Sequence, residues 1–209
     1  MGIGLTTTFE DLLTQAKDLA ASGRRQLLGI AGTPGAGKST LATRLADQLG
    51  PLACLVPMEG FRLSKRALQR TEQPPLPGSP DSYDVDGYVS LLRRIRQQQD
   101  PVVWAPAFDR AAGGPVAAAV PVPRDVPLVI TEGCYLLVED SPWAVVGSLL
   151  DVVWYLDVEG TDRTERLVRR HVTYGKDPIE ARSWVARVDR HHTDLTEPTF
   201  WRADRVIRL

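Results

Sequence analysis

The chain has 209 residues, 43% hydrophobic and 24% charged, and 25 Lys+Arg against 26 Asp+Glu leave a formal net charge of −1. A chain of this length buries about 70% of its unfolded surface, so it needs neither disulfide nor metal to fold. Without a basic excess there is no nucleic-acid footprint. Two cysteines without CxxC spacing exclude a disulfide scaffold and a cysteine-rich zinc site, and no apolar run approaches the about 20 residues of a membrane helix.

The start, MGIGLTTTFEDLL, lacks the basic and apolar regions of a signal peptide. It fits the acylation pattern M-G-x-x-x-[ST] at Gly2 and Thr6, with no polybasic patch as a second anchor. Cysteines used as small buried groups fit a reducing, cytoplasmic setting. From Thr8 to Ala21 the apolar residues Phe9, Leu12, Leu13, Ala16 and Leu19 recur at helical spacing behind a Thr8 cap. QLLGIAG is a buried strand running into glycines, and STLATRLADQLG a helix with Leu41, Leu45 and Leu49 on one face. LACLVPM is a second strand, and PPLPGSP is too proline-rich for regular structure. Val85, Val89, Leu92 and Ile95 predict a helix from Val85 to Gln99. PVVWAPAF is extended, and RAAGGPVAAAVPVP is a loose loop or short hairpin. PLVITEG and DVVWYLDV are further strands, Thr161 to His171 an arginine-rich helix, Pro178 to about Asp189 another, and RADRVIRL a closing strand. Apolar strands alternating with amphipathic helices indicate βαβ units and a mostly parallel sheet covered on both faces. No linker divides the chain, so residues 1–209 are expected to form one α/β domain with a mobile flap at approximately 160–178.

Gly32-Thr33-Pro34-Gly35-Ala36-Gly37-Lys38-Ser39 fits G-x-x-x-x-G-K-[ST] without a mismatch. Glycines let several backbone N–H groups converge on one anion, and the following helix adds its N-terminal dipole. Lys38 supplies a point charge for the β- and γ-phosphates, Ser39 a hard oxygen for Mg²⁺, and Thr40 reaches toward the α-phosphate. This places ATP or GTP with Mg²⁺ on a P-loop NTPase three-layer sandwich. The chain's lysines are Lys17, Lys38, Lys65 and Lys176, none in an N-K-x-D guanine motif. Its length leaves no room for a coupling domain, and an acid, Glu59, closely follows the second strand, where parallel sheets bind ligands. Glu59 is either a base for an attacking hydroxyl or an ordinary surface carboxylate. These features favour an ATP-dependent kinase over a nucleotide-dependent switch or accessory ATPase acting on a protein partner.

From about Leu27 to Leu209 the chain resembles the P-loop kinases that include uridine kinase, phosphoribulokinase and bacterial pantothenate kinase, nearest the nucleoside/nucleotide or fructose-transport kinase branch. The resemblance rests on GTPGAGKST, MEGF, SPDSYD, APAFDR, VITEGCYLL, the arginine-rich RTERLVRRHVTYGKD and RADRVIRL, in that order. It implies ATP, Mg²⁺, an arginine-rich lid and transfer to a hydroxyl of a small metabolite, a nucleoside, pantothenate or sugar. Homodimers are common in such kinases, though no segment here argues for one. The resemblance implies Glu59 as base, and Asp81, Tyr83 and Arg110 lining the acceptor pocket. Relatives usually carry Asp at Glu59, and often His at Arg62 and Asn at Cys134; the latter two are candidate substrate contacts.

Glu132 and Asp157 both end apolar strands and compete for the Mg²⁺-associated acid, with the resemblance favouring Glu132. Arg163, Arg166, Arg169 and Arg170 fall within two helical turns, and Arg166 and Arg170 share a face. They either neutralise a transferring phosphoryl group or form a solvated face with Asp162 and Glu165. Arg110 either meets an anionic acceptor or pairs with Asp109. His171, His191 and His192 lack metal spacing, and the tryptophans read as packing residues.

Overall fold

A capping box starts the first helix, α1 (Phe9–Ala20): Asp11 N donates to Thr8 Oγ1 at 3.2 Å and Thr8 N donates to Asp11 Oδ2 at 3.0 Å. This computed structural model describes residues 7–70, 72 and 74–208, so Gly2 and Thr6 of the acylation pattern lie outside the described residues. There follow β1 (Gln26–Gly32), α2 (Lys38–Leu49), β2 (Ala53–Leu55), α3 (Lys65–Leu68), α4 (Val85–Arg96), β3 (Val102–Asp109) and β4 (Gly114–Pro123). The second half comprises β5 (Leu128–Glu132), α5 (Ala144–Ser148), β6 (Val152–Asp157), α6 (Gly160–Thr173), α7 (Pro178–Trp184), α8 (Arg190–Thr196) and β7 (Arg205–Arg208).

Five strands form one parallel sheet in the order β2-β5-β1-β6-β7. Every residue of β1 and β5 is buried, because helices cover both faces of the sheet. On one face α1 and α2 pack Leu12, Ala16, Leu41 and Leu45 against Leu28, Ile30 and Trp154. On the other, Tyr88, Val89, Leu92 and Ile95 of α4 join Leu27, Val129 and Tyr155. β1 is thus central, and its carboxyl end opens into the glycine-rich loop, flanked by the ends of β5 and β6.

The structure differs from the sequence reading in four respects. The second strand stops at Leu55; beyond Pro57, Met58–Phe61 wind into a 3₁₀ turn. The expected loop or short hairpin is a long antiparallel hairpin, β3 with β4, bulged between Ala105 and Ala107. Pro115, Pro121 and Pro123 obscured it, but an edge strand tolerates residues that lack an N–H donor. The helix expected to end near Asp189 passes through a π-helical segment, Val185–Asp189, directly into α8. The short helices α3 and α5 have too few turns to show a periodicity. A cluster of Leu167, Val168, Ala181 and Val185 fastens α6 to α7.

Candidate active site

The loop after β1 needs its glycines for stereochemical reasons. Gly35 and Gly37 have φ of +79° and +98°, backbone that side chains with a Cβ rarely adopt. Gly37 is the N-cap of α2, so the first free N–H groups of that helix face the loop. Lys38 is 7% exposed, and its ammonium donates to Thr33 O at 2.9 Å within the same loop. Ser39 Oγ donates to Glu132 Oε1 at 3.0 Å. Burial raises the Glu132 pKa, opposed by the nearby charge of Lys38 and the Ser39 hydrogen bond. Asp157, the competing acid, instead pairs with Arg208 at 2.9 Å.

In front of the loop lies a cavity of about 260 Å³. Of the residues singled out from sequence, the structure brings Pro34, Gly35, Lys38, Ser39, Glu59, Arg62, Tyr83, Arg110, Glu132, Cys134 and Arg170 to its wall. Gly32, Ala36, Gly37 and Thr40 belong to the loop and helix start behind that wall. Asp81 is exposed in a 3₁₀ turn, Pro80–Ser82, and does not reach the cavity. Arg166 stands outside it, with Nη1 3.9 Å from where a Cβ on Gly37 would lie. Arg163 is a buried brace, donating to Val158 O at 3.1 Å and Thr193 Oγ1 at 3.3 Å.

Glu59 sits on the 3₁₀ turn after β2, and both of its carboxylate oxygens are held. Oε1 accepts from Arg62 Nη1 at 3.0 Å and Oε2 accepts from the Tyr83 hydroxyl at 2.8 Å. Burial pushes the Tyr83 phenol well above its ordinary pKa, and the charge of Glu59 adds to the shift, so Tyr83 remains a donor. An isolated bridge between Arg62 and Tyr83, with Leu63 N to Ser82 O at 2.8 Å, ties the two segments together. The hairpin packs behind this turn: a Cβ on Gly60 would collide with Pro106 O.

The sequence reading left the role of His192 open and missed Tyr135 in the opposite wall. Tyr135 donates to Gly78 O at 2.6 Å, and His192 Nε2 donates to Pro77 O at 3.2 Å. Together they fix the proline-rich loop as a side of the cavity. Burial lowers the His192 pKa, whereas His191 is exposed. His171 Nε2 meets Asp189 Oδ2 at 2.9 Å across α6 and the π-helical segment. Trp184 also lines the cavity, while Trp143 and Trp154 are core and Trp104 and Trp201 are exposed. The π-helical segment offered the available signal, since such segments recur at functional sites, but no residue pattern announces one.

No protein-family model matches the chain. A Schizosaccharomyces pombe protein named "Putative uridine kinase C227.14" is 34% identical over 203 residues, 93% of this chain and 85% of that protein. "ATP-dependent kinase YFH7" of Zygosaccharomyces rouxii is 27% identical over 187 residues, 74% of this chain but 49% of that longer protein. The crystal structure of a "putative fructose transport system kinase" from Silicibacter sp. TM1040 superposes with a TM-score of 0.85 at 31% identity, covering 96% of this chain and 98% of the other. A phosphate-binding loop at the carboxyl end of a central strand and likeness over nearly the whole chain agree: this chain belongs to the uridine kinase-like family of ATP-dependent P-loop small-molecule kinases.

Proposed function

We propose that the chain transfers the γ-phosphoryl group of ATP to a hydroxyl of a small metabolite: a nucleoside, pantothenate or a sugar. One observation carries this reading: a carboxylate held at both oxygens, Glu59, shares a cavity with the P-loop ammonium of Lys38. A nucleotide switch needs no such carboxylate beside the phosphates.

Lys38 and the amides around Gly35 and Gly37 hold the β- and γ-phosphates. Among the described residues no cluster of three His, Cys, Asp or Glu side chains could hold a metal alone. Mg²⁺ is commonly held by one or two protein oxygens together with phosphate oxygens, and Ser39 and Glu132, in mutual contact at 3.0 Å, fit that role. When bound, the ion neutralises charge developing on the phosphates. The acceptor hydroxyl attacks the γ-phosphorus in line; its O–P bond forms as the bond to the ADP oxygen breaks. Glu59 takes the hydroxyl proton, held in place by Tyr83 and Arg62. Arg170 from the cavity and Arg166 from the loop side spread the charge of the transferring group. Most of the acceleration is positioning and electrostatics.

The test is ADP release from Mg·ATP across uridine, cytidine, pantothenate, fructose and ribulose 5-phosphate, with Lys38→Ala as control. Acceptor-dependent release, lowered about 10²- to 10³-fold in the control, is expected. ATP hydrolysis indifferent to every acceptor would overturn the proposal.

A further inference from the structure

The cationic side chains of the cavity are not equivalent. Lys38 belongs to the phosphate loop, Arg170 projects from α6, and Arg62 is neutralised by Glu59 at 3.0 Å. Arg110 differs from all three. It opens the hairpin turn between β3 and β4 and lines the cavity from that turn. The carboxylate beside it in sequence is not its partner: Asp109 Oδ1 accepts from Ala111 N at 2.8 Å and Ala112 N at 3.0 Å, which shapes the turn. No carboxylate among the described residues pairs with Arg110. Its guanidinium lies 5.8 Å above the Tyr174 ring, at the outer limit of a cation–π contact. The guanidinium is always charged and presents a planar fork of donors suited to carboxylates and phosphates. Arg110 is exposed to solvent, yet it lines the cavity in front of the phosphate loop.

The cavity is also small. Its volume of about 260 Å³ must also admit the γ-phosphoryl group, and ligand pockets usually begin near about 300 Å³. An acceptor that fits has few atoms to bury, so its affinity must come from strong polar contacts.

We infer that the acceptor is a small hydroxy compound bearing an anionic group, a carboxylate or a phosphate ester, which Arg110 grips while its hydroxyl points to Glu59. This rests on the kinase reading and narrows it. The transferred atoms are unchanged: the acceptor oxygen gains the phosphoryl group, ADP leaves, and Glu59 holds the released proton. Arg110 sets specificity and takes no part in bond exchange.

The experiment compares matched pairs under Mg·ATP: D-glycerate with glycerol, pantothenate with panthenol, and ribulose 5-phosphate with ribulose. Turnover of the charged member of at least one pair is expected at about 10²-fold higher kcat/KM than its neutral twin. Which pair responds identifies carboxylate or phosphate. Arg110→Gln should raise KM for that acceptor about 10- to 100-fold, with kcat and the KM for ATP little changed, and Arg110→Lys should recover part of the loss. A neutral acceptor used as well as its charged twin overturns the inference, as does an equal loss on both in Arg110→Gln. A second readout separates this from failure of the kinase reading. With the loop filled by Mg and a non-hydrolysable ATP analogue, tryptophan fluorescence reports binding next to Trp184. Charged acceptors that bind wild type and not Arg110→Gln support the anion site even without turnover. No binding by any of the three charged compounds overturns it.

Discussion

The Tyr83 hydroxyl donates to Glu59 Oε2 at 2.8 Å, from a segment 24 residues further along the chain. Tyr83 is itself wedged edge-on against Tyr135 and Trp143, with ring centroids 5.8 Å away in each case. The carboxylate is therefore aimed by a side chain that cannot easily move. Tyr83→Phe keeps the packing and removes the donor; it should lower kcat about 10-fold and leave the melting temperature and the KM for ATP nearly unchanged. Glu59→Gln should cost about 10² to 10⁴ in kcat. Glu59→Asp, one methylene shorter, cannot span both Tyr83 and Arg62 and should fall between the two. Steady-state rates on one good acceptor check the series; full activity in Glu59→Gln would remove Glu59 from the chemistry.

Burying Glu132 carries a cost in stability. Burial raises its pKa, so the unfolded chain releases this proton at lower pH than the folded one. The stability contributed by the protonated carboxyl is then lost as pH rises through the folded pKa. Glu132→Gln removes a buried charge and, in metal-free protein at neutral pH, should raise stability by about 1 kcal/mol, or about 2–4 °C for a chain of this size. The same change should lower turnover about 10²-fold or more. Calorimetry paired with kinetics checks both; a less stable yet fully active variant would contradict the assignment.

The proline-rich wall should respond to acid. Burial lowers the His192 pKa below the ordinary imidazole value of 6.5. The neutral ring is favoured in the fold, so its contribution is present above that value and is lost as pH falls through the folded pKa. Melting temperature followed between about pH 5 and 8 should drop toward the acid end in wild type and flatten in His192→Gln. Parallel curves would show that His192 does not titrate with unfolding.

Legibility differed by kind of residue. The phosphate loop is readable because each of its positions answers a backbone or charge requirement within eight consecutive residues, Gly32 to Ser39. The central sheet is readable because β1 and β5 are covered on both faces and must be apolar throughout. The acid after β2 can be singled out because it follows a strand end. The proline-rich wall is different: His192 meets Pro77 across 115 residues, and Tyr135 meets Gly78 across 57. No local period encodes such pairings. Asp81 shows the reverse case: it stands two residues before Tyr83, but a 3₁₀ turn sends it to the surface.

The hairpin of β3 and β4 forms a sheet of its own and shares no ladder with the five-stranded sheet among the described residues, touching it through Cys54 Sγ of β2, which donates to Pro121 O at 3.3 Å. It meets the cavity through the turn carrying Glu59 and through its tip. Changes at that tip therefore leave the register of the central sheet, and with it the nucleotide loop, untouched.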